Sequence, residues 1–393
     1  MKVLYIINSV SMAGATISFI NMVKELLKYG VKPIIVIPNT CSLMEESAFL
    51  KHFDGLAIKV FKMPVVSLEF KKIHSLFSLR TNLYICKKFL LAKLRGLKSY
   101  ESLKTIIVQE KPDVIHTNVG PIHVGFHLSQ KYNIPHVWHL REYQDLDFDW
   151  KIQPTKRIFE RMLSMSSVIT ITKDIFSHFN LDNNPWASVI YNGIFYENNA
   201  GYNDKKENYF LICSRISPEK GISDALEAFC LFCKSNADYK MKVLGKVDSD
   251  NSYYKDLIAI LERNNCVDRV EFLGYKADVK PYMKKAKALV VASHHEGFGR
   301  MTAEACFMGC IVIGRDTSGT KEILDYTGGV KYDGSIDDLY QKMVYVSKMN
   351  KAEYTSIAVK AMDKAKRKYS IESNAKSIFE LYCKLLNKKE SSL

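Results

Sequence analysis

Short apolar runs alternate with amphipathic stretches along this chain, and that alternation restricts the fold more than any other feature. Val3–Ile7 is strand-like, Ile17–Tyr29 has helical spacing, and Pro33–Pro38 and Ala57–Met63 are strand-like again. Asp113–Asn118, Pro135–Glu142, Val168–Thr172 and Val189–Gly193 continue the series. Apolar strands separated by helical segments predict a parallel sheet covered by helices. The polar stretch Asn198–Asp204 interrupts the pattern, which restarts with Tyr209–Cys213, Met241–Leu244, Val270–Leu273, Ala288–Ala292 and Ile311–Ile313 and turns helical from Ile336. At 393 residues the chain exceeds what one core organises, and a hydrophobic content of 47% supplies two. The expectation is an α/β chain with doubly wound domains over 1–198 and 199–370, followed by a helical segment, 371–393.

Chemistry concentrates where strand-like runs meet helices. Ala288–Ala292 leads into Ser293-His294-His295-Glu296-Gly297-Phe298-Gly299-Arg300-Met301-Thr302-Ala303-Glu304-Ala305. This reads as strand, loop and helix start. Gly297 and Gly299 let the backbone approach a ligand, and the uncapped N–H groups of Phe298, Gly299, Arg300, Met301 and Thr302 point at an anion from the positive end of the helix. Glu296 and Glu304 bracket the loop with carboxylates that accept hydrogen bonds from hydroxyls. The plain alternative is an acidic N-terminal charge match and a solvated face. Phe210–Gly221 is a second strand, turn and helix start; Arg215 there can fork onto two phosphate oxygens and Lys220 supplies a point charge. After the first strand, Asn8–Thr16 is a small-residue loop with Gly14 alone as glycine, so a nicotinamide-type G-x-G-x-x-G fingerprint fails. His116, Asn118, His139 and the pair Arg141-Glu142 stand at the carboxyl ends of strands, where open α/β sheets bind ligands.

The two glutamates eight positions apart around Gly-Phe-Gly, together with Arg215 followed by Pro218-Glu219-Lys220-Gly221, resemble the retaining glycosyltransferases of GT-B fold in family four. The resemblance covers nearly the whole chain, with its specific motifs in 209–323. It implies two Rossmann-like domains facing across a cleft, the N-terminal one taking the acceptor and the C-terminal one a nucleotide-sugar, with the final helix crossing back onto the first domain. It implies that Arg215 and Lys220 neutralise the leaving diphosphate, that Glu296 orients the donor sugar and Glu304 the ribose. Gly274 and Tyr275 match the place where the family holds the base through backbone groups, and Gly14 matches a glycine near the phosphates, with Ala13 in place of that pair's first glycine. Asp316–Ile323 is similar to the family's Gly-Gly-x-x-Glu loop, with Ser318 replacing the first glycine. His139 matches a histidine that contacts the transferred sugar, and its His-Leu-Arg-Glu setting recurs in members that build bacterial surface polysaccharides. The implied co-substrate is a nucleotide-sugar, with no metal and no covalent nucleophile, and the implied acceptor is a saccharide or a lipid-linked saccharide. A GT-B nucleotide-sugar epimerase is the alternative that shares the fold and the cations.

A formal charge of +14 invites a nucleic-acid reading, but it is unevenly spread: Lys71 to Lys111 holds ten Lys/Arg against two Asp/Glu. No RNA- or DNA-binding module accompanies that patch, so no nucleic-acid partner is expected. Interleaved with Phe70, Ile73, Leu76, Phe77, Leu83, Ile85, Phe89, Leu90 and Leu91, it reads as a solvated face, an acceptor-phosphate site, or a peripheral contact with anionic membrane. Asp145, Asp147 and Asp149, and again Asp248 and Asp250, alternate as in Asp-x-Asp metal sites or as plain acidic loops. Nine scattered cysteines, including Cys86, Cys213 and Cys310 in apolar runs, suit a reducing compartment. Cys230-x-x-Cys233 lies deep in a helical run and is expected to be structural. No apolar run reaches membrane-spanning length, and Lys2–Ile7 reads as a first strand rather than a secretion signal; the expected location is the cytoplasm, with peripheral membrane contact through 71–111.

Overall fold

The structure, a computed structural model, describes residues 1–71, 79–148, 150–153, 155–248 and 250–390, without the side chains of 69–71, 79–90, 147, 148, 150, 389 and 390. Ile73, Leu76, Phe77 and Asp149 therefore lie outside the described residues, as do the side chains of Phe70, Leu83, Ile85, Cys86, Phe89 and Leu90. Two compact units form: 1–193 with 371–393, and 194–370.

In the first unit the strands are β1 (Lys2–Ile7), β2 (Lys32–Pro38), β3 (Lys59–Met63), β4 (Glu69–Lys71), β5 (Val114–Asn118), β6 (His136–Leu140), β7 (Trp150–Ile152), β8 (Ser167–Thr170) and β9 (Ala187–Val189). Seven of them make one parallel sheet in the order β3-β2-β1-β5-β6-β8-β9. β4 and β7 form a separate antiparallel pair that the sequence pattern did not announce. Side chains alternate across β1, so that Val3, Tyr5 and Ile7 enter one core and Leu4 and Ile6 the other. The first core is covered by helices Gly14–Leu27 and Ile371–Glu390, which pack on each other. The second is covered by the end of helix Leu79–Glu110 and by helix His123–Tyr132.

The second unit repeats the plan with β10 (Tyr209–Cys213), β11 (Lys240–Leu244), β12 (Val270–Gly274), β13 (Ala288–Val291), β14 (Val312–Arg315) and β15 (Val330–Tyr332). Its order is β12-β11-β10-β13-β14-β15, all parallel. β15 is too short and too polar at Lys331 to stand out in the sequence. Chain direction across the sheet reverses between β1 and β5 in one unit and between β10 and β13 in the other. Such switch points leave a crevice at the strands' carboxyl ends. Helix Ile222–Cys233 holds Cys230 and Cys233, and Cys233 Sγ lies 2.8 Å from Cys266 Sγ, a neighbour 33 residues away in sequence. Burial pushes the Cys233 and Cys266 thiols up to about 12 and about 11, which keeps them protonated.

Candidate functional site

At the switch point of the second unit, β10 is followed by Ser214-Arg215 and β13 by Ala292-Ser293. Gly221 has φ +61, and a Cβ there would stand 2.3 Å from the carbonyl oxygen of Ala292. Only glycine permits this approach, and it seats Lys220 against the end of β13. Lys220 Nζ lies 2.7 Å from Glu296 Oε1, with both side chains mostly covered. Gly299, in the left-handed region at φ +85, starts helix Arg300–Phe307 with no side-chain cap. Lys220, Glu296, Gly299, Met301 and Thr302 line one recess, about 20 Å³ in volume, room for about one water-sized group.

The loop around this recess is held from behind. Gly319 N donates to the Glu296 carbonyl oxygen at 3.0 Å, and a Cβ on Gly319 would meet the Phe298 carbonyl oxygen at 2.3 Å. Phe298 is buried and meets the Tyr369 ring edge-on at 5.9 Å. Gly297 sits between Glu296 and that anchor. Ser318, where the family resemblance expects glycine, has φ +47, a backbone that costs an L-residue about 1–2 kcal/mol. Glu304 is buried one turn into the helix with Arg300 Nε 2.7 Å from its Oε1. Burial raises the Glu304 carboxyl and the Arg300 charge pulls it back.

Other candidates stand apart from the recess. The Arg215 side chain is 78% exposed and reaches Glu219 at 3.4 Å. Gly274 ends β12 with φ +71 and accepts a hydrogen bond from Gly245 N at 3.1 Å; Tyr275 is exposed. Sequence reading passed over Gly245, where a Cβ would lie 2.2 Å from the Ser214 carbonyl oxygen. Asp145 Oδ1 lies 2.8 Å from His178 Nε2, and Asp248 Oδ1 accepts from Asp250 N, so these acidic stretches have local partners.

The first unit carries its own cluster at its switch point. Gly14 is the first residue of helix Gly14–Leu27, whose N-terminus has no side-chain cap. Beside it, β5 ends in His116-Thr117-Asn118 and β6 in His139-Leu140. The Arg141 guanidinium is buried and bonds Asn118 Oδ1 at 2.8 Å and also Asn192 Oδ1. His116 and His139 are fully buried, with His116 Nε2 3.2 Å from His139 Nδ1, and Tyr382 Oη of helix Ile371–Glu390 lies 2.6 Å from His116 Nδ1. Burial, reinforced by the Arg141 charge, holds both imidazoles well below the usual histidine range. The part played by Tyr382 had no signal in the sequence, being 266 residues from His116.

Residues 197–369 match the family described as Glycosyl transferases group 1. An uncharacterised glycosyltransferase of Methanocaldococcus jannaschii is 29% identical over 266 residues, which cover 65% of this chain and 72% of that protein. A 42.6 kDa protein of the cps region of Klebsiella pneumoniae is 26% identical over 271 residues, covering 63% of this chain and 69% of that one. The crystal structure of Anabaena Alr3699/HepE in complex with UDP and glucose superposes with a TM-score of 0.73 at 20% identity, covering 98% of this chain and 100% of that one. The fold is therefore GT-B, two doubly wound units of the kind the sequence resemblance implied. The part of the chain that carries the Lys220–Glu296 recess lies within the stretch that matches the group 1 glycosyltransferases.

Proposed function

We propose that this enzyme transfers a sugar from a nucleoside-diphosphate sugar, with retention of anomeric configuration, to a saccharide or lipid-linked saccharide in surface polysaccharide synthesis. The observation that carries the reading is the Lys220–Glu296 pair, which sits at a switch point beside the uncapped start of helix Arg300–Phe307. In the reaction the bond from the sugar's anomeric carbon to the diphosphate breaks, and negative charge grows on the leaving oxygen. Lys220 and the N–H groups of Gly299 to Thr302 are placed to take up that charge, and Arg215 is long enough to fold in from solvent as a second cation. Glu296, released from Lys220 by the incoming phosphate, accepts from the sugar's hydroxyls. Glu304 and the Gly274-Tyr275 backbone belong to the nucleoside end of the same donor, and Gly14 and His139 are the first unit's own candidates for phosphate and sugar contact. Relatives named as glycosyltransferases weigh against the epimerase alternative.

A panel of UDP-, GDP-, ADP- and dTDP-sugars tests the donor class. One member at a hundred times its Kd is expected to stabilise the protein by about 2.7 kcal/mol, read as a rise in Tm. Protein cations and a helix start carry the diphosphate in this proposal, so turnover is expected to survive EDTA. Loss of turnover on chelation, restored by Mg²⁺ or Mn²⁺, would contradict it.

A lipid-linked acceptor is favoured by one face of the first unit. Leu91, Leu94 and Leu97 are exposed at intervals of three along helix Leu79–Glu110, with Lys93, Arg95 and Lys98 exposed among them. Val66, Leu68, Ala92, Tyr100 and Val124 line a neighbouring cavity of about 490 Å³. Among the described residues no helix is long and apolar enough to cross a membrane. Peripheral contact through 71–111, on the cytoplasmic side, would use these leucines for the headgroup boundary and the cations for anionic lipid, each cation contributing about 1 kcal/mol. The protein is expected to float with anionic vesicles at low salt and to lose that binding in the Lys93→Glu, Arg95→Glu, Lys98→Glu variant. Flotation unchanged by the charge reversal would rule the contact out.

A further inference from the structure

We infer that Tyr382, acting through His116, holds His139 in the tautomer that carries its proton on Nε2, making His139 a neutral hydrogen-bond donor of fixed direction. Three polar contacts in a row connect them: Tyr382 Oη to His116 Nδ1 at 2.6 Å, His116 Nε2 to His139 Nδ1 at 3.2 Å, and Arg141 Nη2 to His139 Nδ1 at 3.5 Å. A neutral imidazole has one N–H and one bare nitrogen, so such a row has only two self-consistent directions. In one, protons point from Tyr382 towards His139; in the other they point back.

The Arg141 contact selects the first. A guanidinium only donates, so Arg141 requires His139 Nδ1 to be the bare, accepting nitrogen. Its remaining nitrogens are committed to Asn118 Oδ1 and Asn192 Oδ1, which aims Nη2 at the ring. At the other end, the Tyr382 hydroxyl has two neighbours, His116 Nδ1 at 2.6 Å and Tyr5 Oη at 3.4 Å, and its geometry also allows it to donate to Tyr5. Because His116 Nε2–H is then committed to His139, His116 Nδ1 is bare, and the single phenol proton belongs on that 2.6 Å contact rather than on the 3.4 Å one. Tyr382 therefore donates to His116 Nδ1, His116 Nε2–H donates to His139 Nδ1, and His139 is left with its proton on Nε2. That atom is buried and has no hydrogen-bond partner among the described residues, which costs about 1–3 kcal/mol until an acceptor arrives. An oxygen with a free lone pair, such as a sugar hydroxyl, satisfies it; a bare cation or a second N–H does not. Tyr382 is a positioning residue in this scheme, and the link to turnover rests on the reading of His139 as a contact to the transferred sugar.

The test is long-range ¹H–¹⁵N correlation on ¹⁵N-labelled protein without substrate, which separates protonated from bare imidazole nitrogens. His139 and His116 are both expected to show a proton on Nε2 and a bare Nδ1. Tyr382→Phe, which removes one oxygen from a packed ring, is expected to shift His116 Nδ1, to mix the two tautomers of His139, and to lower kcat about three- to tenfold, the scale of one hydrogen bond, with KM for the donor nearly unchanged. His116→Gln retains an acceptor for Tyr382 and a donor for His139 and is expected to keep the His139 Nε2–H signature, whereas His116→Leu is expected to lose it. A proton on His139 Nδ1 in the unmodified protein overturns the inference. So does a Tyr382→Phe protein whose His139 signals are unmoved, whatever its rate. Because the spectra need no turnover, absence of transferase activity would overturn the proposed function while leaving the tautomer assignment to be judged on its own.

Discussion

Lys220→Ala is expected to lower kcat by about a hundredfold or more, the scale of removing one preorganised donor from a developing oxyanion. Lys220 lies in the recess with Glu296, Gly299, Met301 and Thr302, and its ammonium is already aimed at a carboxylate 2.7 Å away, so it needs little reorganisation to meet an incoming anion. Single-turnover measurement at saturating donor isolates the chemical step, and an unchanged Tm shows that the loss is not one of folding. Arg215→Ala is expected to fall in the same direction. Its starting point differs, because a side chain 78% exposed must be ordered by the donor before it contributes. Lys220→Ala and Glu296→Ala should combine non-additively, as neighbours sharing one contact do. Full turnover in Lys220→Ala would place the diphosphate elsewhere.

Mild acid is expected to destabilise the first unit steeply. His116 and His139 lie well below the usual histidine range, burial pulls His123 down to about 4 and His136 to about 3, and all four sit in that unit. The folded state keeps these rings neutral while the unfolded chain protonates them below about pH 6.5. Between that value and each folded pKa the unfolded state binds the extra proton, so stability falls as pH falls. Each ring costs about 1.4 kcal/mol per pH unit in that window, and several together remove a large share of a domain's usual 5–15 kcal/mol within one or two units. The measurement is the urea midpoint from pH 7.5 to 5. His136→Gln, which can still bond Thr117 and Ser166 in place of contacts at 2.9 and 3.2 Å, should flatten the slope. A midpoint independent of pH over this range would mean that the four rings titrate alike in the folded and the unfolded chain.

The sheets were readable because parallel strands covered on both faces are apolar throughout, as Leu4–Ile7 and Leu289–Val291 are, and because glycines mark close backbone approaches, as at Gly221 and Gly299. Packing at long sequence separation was not readable. β15 pairs through Lys331, Cys266 reaches Cys233 from another loop, and Tyr382 meets His116 across most of the chain. Nor does a motif reveal conformation: Arg215 and Lys220 stand five residues apart in one signature, yet one is folded into the recess and the other lies in solvent.

Helix Ile371–Glu390 supplies Ala375, Ile378 and Tyr382 to the core that β1 begins, although the whole of the second unit is threaded between them. On a ribosome adding about 5–20 residues per second, the apolar face of helix Gly14–Leu27 waits roughly ten to forty seconds for its cover after the rest of its sheet has emerged. During that interval the nascent first unit carries an uncapped greasy strip, and the second unit, contiguous in sequence, can complete itself first. Order of maturation thus runs opposite to order of synthesis, and a chaperone that binds apolar surface has its longest opportunity on the segment made earliest.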